Sequence, residues 1–290
     1  MTCVALTGGT GFVGSHLLTG LLADGHAVRA LTRRPAAALD RPGVVPVPGE
    51  LADGASLGRL VAGAGTVIHV AGLIQAPSRA AFRAANAEAS GALAAAARAA
   101  GCKHFVLVSS LAAREPDISP YAESKALGEA TVREAAGPMP VAIVRPPAVW
   151  GPGDRATLPL LQGLARGWLL APGPAAARFS LIHVTDLAHL LRRLAATEAA
   201  LPTTALEPDD GRAGGYGWRD LARLAEPVVG RKVRVVPVRR ALLALVAGIG
   251  EKLAGLTGKP PLLTRDKVAE LVHPDWVCRP AAMLPGWRPG

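Results

Sequence analysis

Residues 3–14 read Cys3-Val4-Ala5-Leu6-Thr7-Gly8-Gly9-Thr10-Gly11-Phe12-Val13-Gly14, and residues 14–23 then carry leucine at helical spacing before Asp24-Gly25. A short apolar run ending in glycines predicts a buried strand, and the spacing after it predicts a helix. Gly8, Gly11 and Gly14 sit between the two. The first permits a tight turn, the second lets the backbone approach a pyrophosphate, and the third lets helix and strand pack closely. The free N–H groups of the helix start, including those of Phe12 and Val13, then face the phosphates.

The strand–turn–helix unit repeats outward along the chain. Strands are expected at 27–32, 66–71, 104–109 and 141–144, with helices at 82–100 and 121–134. Short apolar strands alternating with helices imply a parallel sheet covered on both faces. The fold class is therefore α/β, a Rossmann-type doubly wound sheet, with a small mixed α/β C-terminal substrate lobe. Breakers at Gly151-Pro152-Gly153 and Ala171-Pro172-Gly173-Pro174 mark the change of texture. Residues 1–150 and about 179–198 are assigned to the dinucleotide-binding part, and about 151–178 and 199–290 to the lobe. A strand over 179–184, a helix over 187–195 and a loop over 203–217 are expected there.

Composition narrows the function classes. The formal charge is +10, but the basic residues are spread with few dense runs. That pattern points to a solvated basic surface suited to an anionic cofactor, and no nucleic acid is expected. Cys3, Cys102 and Cys278 are odd in number and far apart, so neither a disulfide framework nor a metal site follows, and a cytoplasmic protein with reduced thiols is expected. The most apolar segment, 241–250, is too short to span a bilayer. A buried helix is the expectation there, a membrane or dimer surface the alternative.

The residue after the second strand discriminates between dinucleotides. An acid there would bind ribose hydroxyls, but the chain reads Leu31-Thr32-Arg33-Arg34. A guanidinium can pair with a 2′-phosphate at two points, so NADP is expected, with NAD as the alternative. Glu50 and Leu51, after the third strand, are candidates for the adenine edge. Asp53 is a loop acid or a helix cap.

Tyr121 and Lys125 lie one helical turn apart, twelve residues after Ser109-Ser110. An ammonium on the same face favours the phenolate and lowers the pKa of the tyrosine. Tyr121 can then donate a proton to a carbonyl under reduction, or accept one from an alcohol. Ser110 would hold the substrate oxygen.

Gly8/Gly11/Gly14, Ile68-His69-Val70-Ala71-Gly72, Asn86, Ser109-Ser110, Tyr121/Lys125 and Arg145-Pro146-Pro147-Ala148-Val149-Trp150-Gly151 follow one another in an order that resembles the extended short-chain dehydrogenase/reductase superfamily, the NAD-dependent epimerase/dehydratases. The resemblance implies Tyr121 as acid/base, Lys125 as its tuner and a ribose ligand, and Ser110 as the substrate-orienting hydroxyl, with Ser109 the fallback. It implies Asn86 as the asparagine near the active site, Ala71 and Gly72 beside the cofactor, and Pro146 beside the nicotinamide. His69 and His183 are expected to be structural. It also implies a homodimer through two long helices. Three activities remain open: NAD(P)-dependent interconversion of a ketone and a secondary alcohol on a small organic substrate, nucleotide-sugar epimerisation or dehydration with tightly held NAD, and non-catalytic NADPH binding as a subunit or sensor.

Overall fold

A computed structural model describes residues 2–197, 200–257, 263–284 and 286–290. In chain order the first half contains β1 (Cys3–Thr7), α1 (Phe12–Ala23), β2 (Ala27–Thr32), β3 (Val44–Pro48), α2 (Gly54–Val61), β4 (Thr66–His69), α3 (Arg79–Arg83), α4 (Ala89–Ala99), β5 (His104–Val108), α5 (Pro120–Ala136) and β6 (Val141–Val144). The six strands form one parallel sheet in the order β3-β2-β1-β4-β5-β6. The chain reverses direction across the sheet between β1 and β4. Ligands of such sheets sit in the crevice outside the strand ends at that switch point, and the glycine turn follows β1 directly.

Alternating side chains divide between two cores. Val4 and Leu6 of β1 and Val106 and Val108 of β5 face Leu17, Leu18 and Leu21 of α1 on one side of the sheet. Ala5, Phe105 and Leu107 face the other side, against Leu57 and Leu60 of α2, Leu93 of α4 and Val132 of α5. Each face of the sheet is thus covered by helices, as the near-continuous apolar strands require.

The second half contributes β7 (Ala148–Trp150), α6 (Leu158–Ala165), β8 (Trp168–Pro172), β9 (Arg178–Phe179), β10 (Leu181–His183), α7 (Val184–Ala196), α8 (Trp218–Val229), β11 (Arg234–Val238), α9 (Arg240–Thr257), α10 (Arg265–Leu271) and β12 (Asp275–Trp276). Helix α7 returns to the first core through Leu187, Leu190, Leu191 and Leu194. The remaining strands pair two by two, β7 with β10, β8 with β11 and β9 with β12. A small core of Leu164, Leu169, Ala222 and Val233 lies under α6, α8 and the β8–β11 pair.

Three expectations need correction. The helix anticipated over 82–100 begins at Arg79 and is interrupted by one π turn at Ala84–Glu88, which the alanine-rich composition does not reveal. The strand anticipated over 179–184 is two strands, because β9 pairs with β12 and β10 with β7, and Val184 already opens α7. The segment 241–250 is helical, but Leu242, Leu245, Val246 and Ile249 of α9 are each at least half exposed, so it is not a buried helix.

Candidate active site

The turn after β1 is built by contacts that only glycine allows. Gly8 adopts φ +74°, and a Cβ there would lie 2.8 Å from the Ala71 nitrogen at the end of β4. A Cβ on Gly14 would lie 1.9 Å from the Gly8 carbonyl oxygen, inside any tolerable contact. The Gly11 N–H closes the turn on Gly8 O at 2.9 Å. Gly11 is also the N-cap of α1 and brings no side-chain acceptor, so the first N–H groups of the helix have no capping side chain. An uncapped helix start inside a backbone-only cradle fits the pyrophosphate of a dinucleotide. From the far side, His16 Nε2 meets Pro152 O at 2.9 Å and brings the Gly151-Pro152-Gly153 turn against α1.

At the outer edge, Arg33, Gly49, Glu50 and Asp53 line one shallow cavity, and Arg34 is exposed beside it. Asp53 is a helix cap: its carboxylate accepts the N–H groups of Ala55 and Ser56 and starts α2. Leu51 packs on the core edge.

A polar chain links the glycine turn to Asn86. The Ala71 N–H donates to Thr7 Oγ1 (3.2 Å), and Thr7 Oγ1 meets His69 Nδ1 at 2.6 Å. His69 Nε2 meets Ser90 Oγ at 2.9 Å, and Ser90 donates to Asn86 O at 2.8 Å. Because Ser90 spends its proton on Asn86, it accepts from His69, which places the imidazole proton on Nε2 and leaves Nδ1 to accept from Thr7. Burial, with the Lys125 charge as a lesser cause, holds His69 down at about 3, so the ring is neutral and structural.

The π turn aims Asn86. Its side-chain oxygen accepts the Leu73 N–H (2.8 Å), and its amide donates to Leu73 O (2.9 Å) and Ser124 Oγ (3.0 Å). Asn86 therefore clamps the loop after Gly72 to α5. The approach depends on Gly128, where a Cβ would lie 2.2 Å from Asn86 O.

Helix α5 starts by rule: Ser119 accepts the Ala122 N–H as N-cap, and Pro120 occupies the first turn. That start sets Tyr121 and Lys125 on one face. Tyr121 faces the Ser110 side chain, which acts to lower its pKa, and its ring meets Phe82 edge-on at 6.0 Å. Lys125 is buried and donates from Nζ to Val108 O at 3.0 Å; a Cβ on Gly72 would lie 3.5 Å from the same Nζ. Ser110, Tyr121, Lys125, Asn86 and Gly72 thus converge at the ends of β4 and β5. Ser109 does not join them. It donates to Glu129 Oε1 at 2.6 Å, in a buried pair where Arg145 grips the same carboxylate through Nε (2.8 Å) and Nη2 (2.6 Å). Pro146 is buried beside Ser110, its carbonyl accepting the Leu111 N–H at 2.9 Å.

The electrostatics differ from expectation. Burial pushes Tyr121 up to about 12; the Ser110 side chain opposes this and the Glu270 carboxylate adds to it. Burial pulls Lys125 down to about 8, against the attraction of Glu129. The protein's own groups therefore do not acidify the phenol, because desolvation outweighs the one lowering influence, which comes from Ser110.

Several neighbours escaped the sequence reading. Lys267 of α10 holds its ammonium 5.6 Å from the centre of the Tyr121 ring, and Glu270 accepts the Ser119 hydroxyl at 2.6 Å. Phe82, Gly128, Glu129, Lys267 and Glu270 carry no motif of their own. Only Glu129 had a signal, lying one helical turn past Lys125.

Residues 4–205 match the model of the NAD dependent epimerase/dehydratase family. The chain belongs to that family. It is 42% identical over 286 residues to ceramide reductase of Caulobacter vibrioides (98% of this chain, 88% of that protein). It is 30% identical over 307 residues to 2-alkyl-3-oxoalkanoate reductase of Stenotrophomonas maltophilia (94% and 90%). Its fold is similar to that of the human epimerase family protein SDR39U1 with NADPH, with a TM-score of 0.70, 21% identity and coverage of 95% and 90%. This family member is an NAD(P)-dependent oxidoreductase of the extended short-chain dehydrogenase/reductase type. No helix among the described residues is long and apolar enough to cross a membrane.

Proposed function

We propose that this enzyme uses NADPH to reduce a ketone on a long-chain lipid of the ceramide class, with Tyr121 as proton donor. The observation that carries the carbonyl chemistry is the placement of Tyr121 and the buried ammonium of Lys125 one turn apart on α5, beside the Ser110 side chain. The lipid class rests on the full-length similarity to ceramide reductase. An amide carbonyl resists this chemistry, so the reducible group is a ketone at a carbon that bears a hydroxyl in the product. The exposed side chains of Leu73 and Ile74 and the ring of Phe82 give the site an apolar border that suits such a chain.

Gly8, Gly11, Phe12, Val13 and Gly14 would hold the pyrophosphate, Ala71, Gly72 and Lys125 the nicotinamide ribose, and Pro146 the ring side. Arg33 and Arg34 would take the 2′-phosphate. Leu51 would cover the adenine, and Glu50, in the same cavity as Arg33, is the group that would favour NAD instead. The nicotinamide supplies the hydride to the carbonyl carbon. Ser110 donates a hydrogen bond to the carbonyl oxygen and fixes it near the phenol. Tyr121 transfers its proton to that oxygen as negative charge develops there, and Lys125 stabilises the phenolate and returns a proton from solvent. Asn86 positions α5 against the Leu73 loop. Residues 151–178 and 199–290 would form the substrate lobe, α4 and α5 are the surface where a homodimer would form, and free thiols, two of them buried, suit a reducing cytoplasm.

The test is NADPH consumption by the purified protein with a ceramide oxidised at one secondary alcohol, beside a short-chain 3-oxo ester and a UDP-sugar. Preferred turnover of the lipid ketone supports the reading. Turnover of the UDP-sugar without net cofactor consumption would replace it with epimerisation, and no turnover of any ketone would end it. Arg33→Ala with Arg34→Ala should weaken NADPH binding and spare NADH; equal losses would remove the phosphate assignment.

A further inference from the structure

We propose that α9 is an interfacial helix that docks this enzyme on an anionic lipid surface. Leu242, Leu245, Val246 and Ile249 are 54%, 60%, 52% and 52% exposed. Their spacing places them within an arc of about 100° on one side of the helix. The protein packs on the opposite side. There Ala247 is buried, a Cβ on Gly248 would lie 2.9 Å from the Arg265 guanidinium, and Glu251 accepts the Arg265 N–H at 2.8 Å. The apolar stripe is therefore a second face, not the packing face.

Charge chooses what covers it. Arg239 and Lys252 are exposed at the two edges of the stripe, and Arg240 is exposed in the first turn of the helix. Glu251 is the single acid of α9, and it lies on the packed side, paired with Arg265 at 3.7 Å. An apolar stripe flanked on its own helix by cations among the described residues, on a helix too polar to span, is the physical signature of insertion at a headgroup boundary. Arg231, Lys232 and Arg234, on the approach to α9, are exposed cations as well. A second copy of the chain fits less well. Four half-exposed side chains supply well under the roughly 800 Å² per partner of a stable interface, and two copies would bring rims of one sign together.

The packed side of α9 also leads toward the chemistry. Helix α9 packs on α10, and α10 places Lys267 over the Tyr121 ring and Glu270 on the cap of α5. Docking through α9 would bring the α9–α10 end of the molecule to the lipid boundary. This inference does not depend on the substrate reading, since it concerns where the protein sits rather than what it reduces.

Flotation of the full chain with phosphatidylcholine vesicles, with and without phosphatidylglycerol, tests it. Binding is expected only to the phosphatidylglycerol vesicles and should weaken with salt. Leu245→Glu with Ile249→Glu, and separately Arg239→Glu with Arg240→Glu, should each lower binding by roughly tenfold or more. Both pairs are exposed, and turnover of a water-soluble ketone should stay at the wild-type rate, which also reports folding. Equal flotation with both vesicle types, or variants that bind as wild type, overturns the proposal. So does a wild-type dimer that the Leu245→Glu/Ile249→Glu variant converts to a monomer, because a second copy would then be the occupant.

Discussion

Replacing His69 by Gln separates a structural proton balance from the chemistry around it. The imidazole is fully buried between Thr7 and Ser90 and stays neutral down to about 3. Below its ordinary value of 6.5 the unfolded chain takes up a proton that the folded site refuses. Unfolding therefore binds a proton, and folding loses stability as pH falls, by up to about 1.4 kcal/mol per pH unit between 6.5 and about 3. At pH 7 the substitution should cost about 1–3 kcal/mol, because at least one partner of the ring loses its bond in a buried place. Urea unfolding of both proteins at pH 7, 6 and 5 measures the two effects together. The other titrating groups are shared, so the difference between the curves isolates His69. The gap should narrow by roughly 1 kcal/mol per unit below pH 6.5. Parallel curves would refute the neutral, trapped imidazole and with it the proton assignment from Ala71 through to Asn86.

Three further outcomes follow from the same geometry. Tyr121→Phe should lower ketone reduction by about 100-fold to 10,000-fold, the range of a lost general acid, while dinucleotide affinity by fluorescence titration moves only a few-fold. Wild-type reduction should decline as pH rises through about 8, where Lys125 loses its proton, and Glu129→Gln should move that decline to lower pH, since its carboxylate favours the ammonium. An unmoved profile removes Glu129 from this role. Gly128→Ala should destabilise by about 1–3 kcal/mol in thermal or urea melts, because strain from a Cβ 2.2 Å from Asn86 O outweighs the roughly 1 kcal/mol that alanine contributes to a helix. A stabilised variant would show that α5 and the π turn can separate freely.

Much of the site is legible in sequence because each of its parts obeys a local rule. Gly8, Gly11 and Gly14 must be glycine for the backbone to close on itself, and Tyr121 and Lys125 share a face through helical spacing alone. Ser110 and Ser109 could not be separated that way. The strand end offers both hydroxyls, and only the approach of Glu129 and Arg145 from elsewhere claims Ser109. The π turn at Asn86 is invisible because alanine serves either helical form. Lys267 and Glu270 reach Tyr121 from nearly 150 residues downstream, a placement set by how the last helices pack rather than by any local pattern. The exposed face of α9 is hidden from the sequence for a related reason. Hydropathy reports how apolar a segment is, but not whether anything covers it.

The electrostatics of the site lean toward one direction of reaction. Hydride addition leaves charge on an oxygen that is far more basic than a phenol, so reduction needs a donor that is still protonated at the working pH. Tyr121, pushed up to about 12, is such a donor throughout the physiological range. Oxidation needs the same oxygen as a base, and that form is scarce until some further positive charge lowers the phenol. Lys125, pulled down to about 8, remains charged below that pH and can return the proton. Epimerisation asks Tyr121 to serve as base and acid in each turnover, so the cost of desolvating the phenolate would bear on every cycle. In reduction the phenolate forms only as the product oxygen takes its proton, at the end of the chemical step. Burial of Tyr121 under α10 therefore costs a reductase less than it would cost an epimerase on the same scaffold.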